Sequence, residues 1–291
     1  FVVSVSCVSE TAEFLVPTIG DKIDASILSA ASSKLKLIAN YGAGYDHIDI
    51  KTASQRGIIV TNTPSVLTTD TADMTMALIL AIPRKLREGH EEMQSGNWKG
   101  WSPSAMIGMR ITGKKLGILG MGRIGQAIAK RARAFDLNIN YHNRRRLHKN
   151  IEKNLSATYW ENLEEMLSAV DILVVSASLN SSSLYLLNAE CLGKMKRSAY
   201  LVNISRGEII DQKALVRQLK DGRLGGAGLD VYDSEEVIGS DFKSLKNVFL
   251  LPHMGSSTLE GRIEMGEKVI INIKKYLDGH RPPDQIVPSM L

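Results

Sequence analysis

The sequence predicts an α/β protein in which a doubly wound parallel-sheet domain is inserted into a second, discontinuous α/β domain. Three observations predict it. Short apolar runs of strand length alternate with helical patterns, the signature of parallel strands joined by helices. Gly120, Gly122 and Gly125 form G-x-G-x-x-G between the apolar run Leu116–Leu119 and a helical stretch reaching Phe135. The chain has 291 residues, too many for one small core and enough for two domains.

Composition narrows the class without fixing it. The chain is 44% hydrophobic and 23% charged, ordinary for a globular protein, with no low-complexity tract. Its longest apolar run, around Met74–Ile82, falls far short of the ~20 residues that span a bilayer, so no membrane association is expected. Cys7 and Cys191 are its two cysteines, which argues against a disulfide framework and suits a reducing cytoplasm. The net charge of +5 is modest, and the basic residues are mostly interleaved with acids. An anionic ligand explains that balance as well as nucleic acid does. No nucleic-acid partner and no metal site are expected.

Taken in order, the chain opens on an apolar stretch, Phe1–Glu10, with no initiating Met and no charged segment of signal-peptide type. It reads as an incomplete N-terminus or as joined pieces of a longer one. Strands are predicted at Phe14–Val16, Leu35–Ala39 and Ile58–Val60, with helices at Lys22–Ala31 and Ile50–Arg56 between them. At the carboxyl end of the second strand lies Asn40-Tyr41-Gly42-Ala43-Gly44-Tyr45-Asp46. Open α/β sheets place ligands there, and small residues let backbone N–H groups approach an anion. The loop could equally be a tight connection that needs glycine. Thr68–Ile82 reads as a long apolar helix that Pro83 ends or kinks, followed by a charged amphipathic segment to Gln94. The crossing between domains is placed here. Domain boundaries are accordingly 1–79, 80–257 and 258–291, the last segment returning to the first domain.

A loop, Ser95–Met109, carries Trp98 and Trp101 and leads to Gly113 and the central strand. The glycines that follow serve a tight turn, close approach to a pyrophosphate, and close packing of helix on strand. The helix after them turns its amides and positive dipole end to the phosphates. Its apolar face is read as Ile124, Ala127, Ile128 and Phe135. The next strand, Leu137–Tyr141, ends in His142-Asn143-Arg144-Arg145-Arg146. An NAD site carries Asp or Glu about 20 residues beyond the glycines to bond the ribose 2′-OH. Here Asn143 and three arginines stand instead. A carboxylate repels a 2′-phosphate, whereas guanidinium groups grip one, so NADP(H) is preferred and NAD(H) remains possible. A solvated basic loop or a nucleic-acid patch is the plainer alternative.

Strands follow at Ile172–Val175, Tyr200–Asn203, Gly226–Asp230 and Val248–Leu251, with helical segments such as Gln212–Lys220 between them. Glu260–Leu277 is an amphipathic helix, and Pro282-Pro283 is read as the end of regular structure. Arg206, Glu235 and His253 fall just beyond the carboxyl ends of three of these strands. His with a carboxylate is an acid–base unit near neutral pH, and the Arg fork suits a substrate with a carboxylate beside a carbonyl.

The stretches LKLIANYGAGYDHID, NTPSVLTTDTAD, LGILGMGRIGQAIAKRA, LVNISRGEIID, GAGLDVYDSE and LLPHMGSST, in this order and spacing, resemble the D-2-hydroxyacid dehydrogenase family. The resemblance is strongest to its glyoxylate/hydroxypyruvate reductases and runs from about Glu13 onward. It implies a Rossmann-type domain inserted into a flavodoxin-like substrate domain, and a homodimer. It implies that Arg206 holds the carboxylate and keto oxygen of a short 2-keto acid. His253 is then the general acid, Glu235 pairs with His253 and raises its pKa, and the amides of Ala43 and Gly44 bind the substrate carboxylate. Cofactor contacts are implied at Gly120, Gly122, Arg123, Ile124, Gly125, Asn143, Arg144, Arg145, Ser178, Ile204, Asp230 and Gly255. Three departures stand out: no acid after the second strand, Ser178-Leu179-Asn180 where many members have Pro-Leu-Thr, and a short or absent N-terminal strand and helix. Phosphoglycerate, D-lactate and phosphite dehydrogenases share the architecture. So do dinucleotide-sensing relatives without turnover.

Overall fold

The computed structural model describes residues 12–233 and 240–287. The Phe1–Glu10 stretch and Glu235 lie outside them. The chain divides into two compact units, Phe1–Leu67 with Ser257–Leu291, and Thr68–Ser256.

In the first unit, β1 (Phe14–Leu15), β2 (Leu37–Ala39) and β3 (Ile59–Thr61) pair in parallel in that order. Helix Ala25–Ala30 starts later than the pattern suggests. Asp24 caps it by accepting the amides of Ser26 and Ile27, while Ile23 just before it bridges to Ile48. Helix Ile50–Gln55 is capped in the same way by Asp49. Regular structure does not end at Pro282-Pro283. Gln285–Ile286 adds an antiparallel edge to β3, held by Asp284, whose carboxylate accepts from Asn272 at 3.1 Å and pairs with Lys268 at 3.3 Å. Two-residue strands carry no periodicity to read, so this one is invisible in sequence.

The second unit is a seven-stranded, wholly parallel sheet. Its strands are β4 (Lys115–Leu119), β5 (Asn138–His142), β6 (Thr158–Tyr159), β7 (Ile172–Val175), β8 (Tyr200–Asn203), β9 (Gly226–Leu229) and β10 (Val248–Leu250). Their order, β10-β9-β8-β7-β4-β5-β6, reverses between β4 and β7. That reversal is the topological switch point at which doubly wound sheets bind ligands. Both faces are covered. Ile172, Val174 and Val202 join one apolar cluster, and Leu173, Val175 and Leu201 the other. Continuous apolar strands of this kind mark a sheet buried on both sides.

The break between units falls at 67/68, where the sequence suggests 79/80. Helix Thr68–Ala81 packs on the second sheet, because Gly226 and Gly228 leave room on β9 for Leu78 and Ile82. A Cβ at Gly228 would sit 2.4 Å from Ile82. Helix Leu86–Gln94 belongs there too, with Arg87 donating to the carbonyls of Val248 and Leu245. On helix Arg123–Ala134 the buried face is Gly125, Ile128, Ala129 and Ala132. Phe135 is not on that face. It caps the helix C-terminus and is 42% exposed. No helix among the described residues is long and apolar enough to cross a membrane.

Candidate active site

Register aligns the second unit's ligand edge. His142, Leu119, Val175, Asn203, Leu229 and Leu250 stand side by side across β5, β4, β7, β8, β9 and β10. Arg145, Gly122, Ser178, Arg206 and His253 each lie three residues beyond their strand's member of this row. Residues scattered over 130 positions of sequence thus leave the sheet at one level, on its carboxyl side.

The glycine turn fits a dinucleotide phosphate group. Gly120 has φ +99°, and a Cβ there would press on the Ala177 backbone at 2.5 Å. A Cβ at Gly125 would lie 2.3 Å from the carbonyl of Gly120, so helix and strand meet only because both are glycine. Gly122 faces open space and is the N-cap of helix Arg123–Ala134, with no side chain capping it. The first-turn amides, beginning at Arg123 and the half-buried Ile124, are thereby left for an anion. Asn143 Oδ1 accepts the amide of Met121 at 2.7 Å, tying the end of β5 to the turn. Arg144, Arg145 and Arg146 are all exposed, but Arg146 is paired, forking onto Glu152 at 2.8 and 2.9 Å. The basic run is therefore two arginines without a partner among the described residues and one held by a carboxylate.

At the ends of β7 and β8 the loops are interlocked. Ser176 Oγ donates to the carbonyl of Gly120, and Ser205 Oγ to that of Ala177. The exposed Ser178 turns its carbonyl into the following turn, where Ser183 Oγ donates to it at 2.8 Å. Ile204 is buried as the first residue past β8. Asn203 Nδ2 donates to the carbonyl of Arg206 at 2.9 Å and its Oδ1 accepts from Ser205 N, closing the turn that presents Arg206. Arg206 is half-buried, with Nη1 donating to the carbonyl of Ser205. Gly207 follows where any Cβ would overlap the Tyr232 carbonyl carbon, at 1.8 Å. Arg206 can therefore reach its place only with glycine after it.

His253 owes its position to Asp230. Asp230 is 1% exposed, and its two carboxylate oxygens accept the amides of Met254 at 2.8 Å and Gly255 at 2.7 Å. A Cβ on Gly255 would lie 2.8 Å from Asp230 Oδ2. The carboxylate thus pulls the loop tight immediately after His253, which is half-buried and left-handed at φ +52°. From the other side, Tyr232 Oη donates to the carbonyls of Leu251 at 2.7 Å and Leu229 at 3.1 Å. Sequence reasoning missed Tyr232 and Asn203, although both stand inside the quoted motifs.

In the first unit, the Asn40–Asp46 loop is a set of outward donors. Asn40, fully buried, sends Nδ2 to the carbonyls of Gly42 (3.0 Å) and Gly44 (2.8 Å) and receives His47 Nε2 on Oδ1 (3.0 Å). Asn62 Nδ2 takes the carbonyl of Ala43 at 2.7 Å. Three successive carbonyls are held inward, while the amides of Ala43 and Gly44 donate to no acceptor among the described residues. Adjacent free amides of this kind make an anion site. The bracing by Asn40 and Asn62 was also missed from sequence; its one signal was an amide side chain directly after each of two parallel strands.

This fold and edge define a dinucleotide-binding protein of Rossmann type. The family described as D-isomer specific 2-hydroxyacid dehydrogenase, NAD binding domain, matches residues 76–255. A glyoxylate reductase of Thermococcus kodakarensis is 44% identical over 273 residues, covering 92% of this chain and 81% of the relative. That of Pyrococcus furiosus is also 44% identical, with 92% and 80% covered. Among solved structures, a protein from Thermus thermophilus superposes with TM-score 0.90 at 42% identity, covering 97% of this chain and 88% of that one. An NADPH-dependent glyoxylate/hydroxypyruvate reductase from Sinorhizobium meliloti, in complex with NADP and malonate, superposes with TM-score 0.87 at 34% identity, with 95% and 84% covered. The chain belongs to the D-2-hydroxyacid dehydrogenase family.

Proposed function

We propose that the protein reduces glyoxylate or hydroxypyruvate to the 2-hydroxy acid with NADPH. The observation that carries this reading is the aligned carboxyl edge on which Arg206 leaves β8 and His253 leaves β10, the same edge that carries the glycine turn after β4, together with the glyoxylate reductases it resembles. When bound, the reduced nicotinamide supplies a hydride to C2 of the keto acid. Arg206 holds the carboxylate and keto oxygen through its planar fork and offsets the charge that develops on that oxygen. His253 delivers the proton, with Glu235 as its partner. The Ala43 and Gly44 amides bind the substrate carboxylate. Gly120, Gly122, Arg123, Ile124 and Gly125 hold the pyrophosphate, and Asn143, Arg144 and Arg145 take the 2′-phosphate. Ser178, Ile204, Asp230 and Gly255 line the remainder of the cofactor.

The protein acts as a homodimer in this proposal. Its loop around Trp98 (55% exposed), Trp101 (84%) and Ile107 (64%) presents large apolar side chains that a second copy would cover. A reducing cytoplasm suits its two cysteines. Chiral analysis of the product tests the chemistry. Hydroxypyruvate should yield D-glycerate, and formation of L-glycerate contradicts the assigned roles.

A further inference from the structure

We propose that Glu152 is a positioning residue for cofactor choice: it fixes the 143–147 segment so that Arg144 and Arg145 meet the 2′-phosphate. The proposal rests on the NADPH reading above. Glu152 lies on helix Lys149–Leu155, is 8% exposed, and its two oxygens are taken by three donors. Tyr141 Oη donates to Oε1 at 2.6 Å, Arg146 Nε to Oε1 at 2.8 Å, and Arg146 Nη2 to Oε2 at 2.9 Å. The same Tyr141 hydroxyl, on the fully buried side of β5, accepts the amide of Leu147 at 3.0 Å. The Arg146 guanidinium also lies over the Tyr159 ring, 5.4 Å from its centroid. The C-terminal end of the segment is therefore clamped.

Its other end is clamped separately. Asn143 Oδ1 receives Met121 N at 2.7 Å, and its carbonyl receives Tyr159 Oη at 3.4 Å. Between the clamps, Arg144 and Arg145 are exposed and form no hydrogen bond or ion pair among the described residues. Two free guanidiniums on a short, doubly pinned segment are pre-organised for a dianion, and fixing them beforehand lowers the ordering cost of binding one. Arg146 has a different task, with its Nε and Nη2 committed to Glu152. It also neutralises a carboxylate that would otherwise repel a phosphate near this loop. The Arg146 guanidinium and the Tyr141 hydroxyl hold the Glu152 carboxyl at about 2, well below its ordinary value, so the clamp is charged at any working pH.

The test compares the dissociation constants of NADPH and NADH for the full chain, its Glu152→Gln and Tyr141→Phe variants, and the Arg144→Ala/Arg145→Ala double variant. Wild type should prefer NADPH, and the double variant should lose that preference. If either fails, the NADPH reading falls. Glu152→Gln should weaken NADPH by roughly tenfold, the equivalent of one charge-assisted hydrogen bond, and leave NADH unchanged. General loosening of the fold weakens both cofactors alike. A preference that stays at the wild-type ratio in Glu152→Gln, with the double variant behaving as expected, overturns the positioning role. An increased preference, from a released Arg146 reaching the phosphate, overturns it as well. Should Glu152→Gln fail to fold, Tyr141→Phe, which cuts the link to Leu147 without changing charge, gives the same decision.

Discussion

Replacing Asn40 with Ala separates substrate binding from cofactor binding. The change deletes the hydrogen bonds to the carbonyls of Gly42 and Gly44 and the one from His47. Each is worth ~0.5–1.5 kcal/mol net, and a buried polar group left without a partner costs ~1–3 kcal/mol. The Gly44 carbonyl then loses its Asn40 partner and Gly42 keeps the Thr63 amide alone. The Ala43 amide, on the Gly42 peptide, thus loses its fixed aim beside the Gly44 amide, which Asn62 still braces through the Ala43 carbonyl. Losing about 2 kcal/mol of pre-organised anion binding corresponds to a roughly 30-fold rise in KM for the keto acid. The glycine turn is untouched, so NADPH affinity should not move. Steady-state kinetics with glyoxylate varied, alongside NADPH titration of the same preparation, reads both quantities. A protein that melts earlier yet keeps its keto-acid KM would refute the reasoning and reduce Asn40 to a brace for the fold.

His253→Asn should abolish turnover while NADPH still binds; loss of binding with turnover retained contradicts its role. Gly207→Ala has no room for its methyl beside Tyr232 and should displace Arg206, lowering kcat/KM for the keto acid far more than the affinity for NADPH, as paired titrations will show. Stability should also respond to acid through Glu152. Its carboxyl falls from an ordinary 4.5 to about 2 on folding, so the stabilisation is complete above 4.5 and is lost as pH falls from there toward 2. Urea unfolding across that window should show wild type losing its advantage over Glu152→Gln; parallel curves would contradict the clamp.

The dinucleotide domain was legible because its signals are local and repeated. Apolar strands such as Ile172–Val175 are buried on both faces, and the three glycines sit at one turn where Gly120 and Gly125 are sterically required and Gly122 leaves the helix start open. Arg206 and His253 could be picked out because parallel strands end at one level, which fixes a side chain's place by its distance past the strand. What sequence hid depends on tertiary partners. Helix Thr68–Ala81 belongs to the second unit through glycines more than 140 residues away, which no local pattern reports. Arg146 looks like its two neighbours until Glu152, one helix further on, claims it. Asn40 reads as an ordinary turn residue, although its amide sets the direction of a whole loop.

The most direct measurement is the rate of NADPH and NADH oxidation with glyoxylate and with hydroxypyruvate. The account predicts turnover of at least one keto acid, with kcat/KM for NADPH well above that for NADH. Binding of NADPH without oxidation by either acid would contradict the proposed reaction, and a preference for NADH would contradict the role given to Arg144 and Arg145.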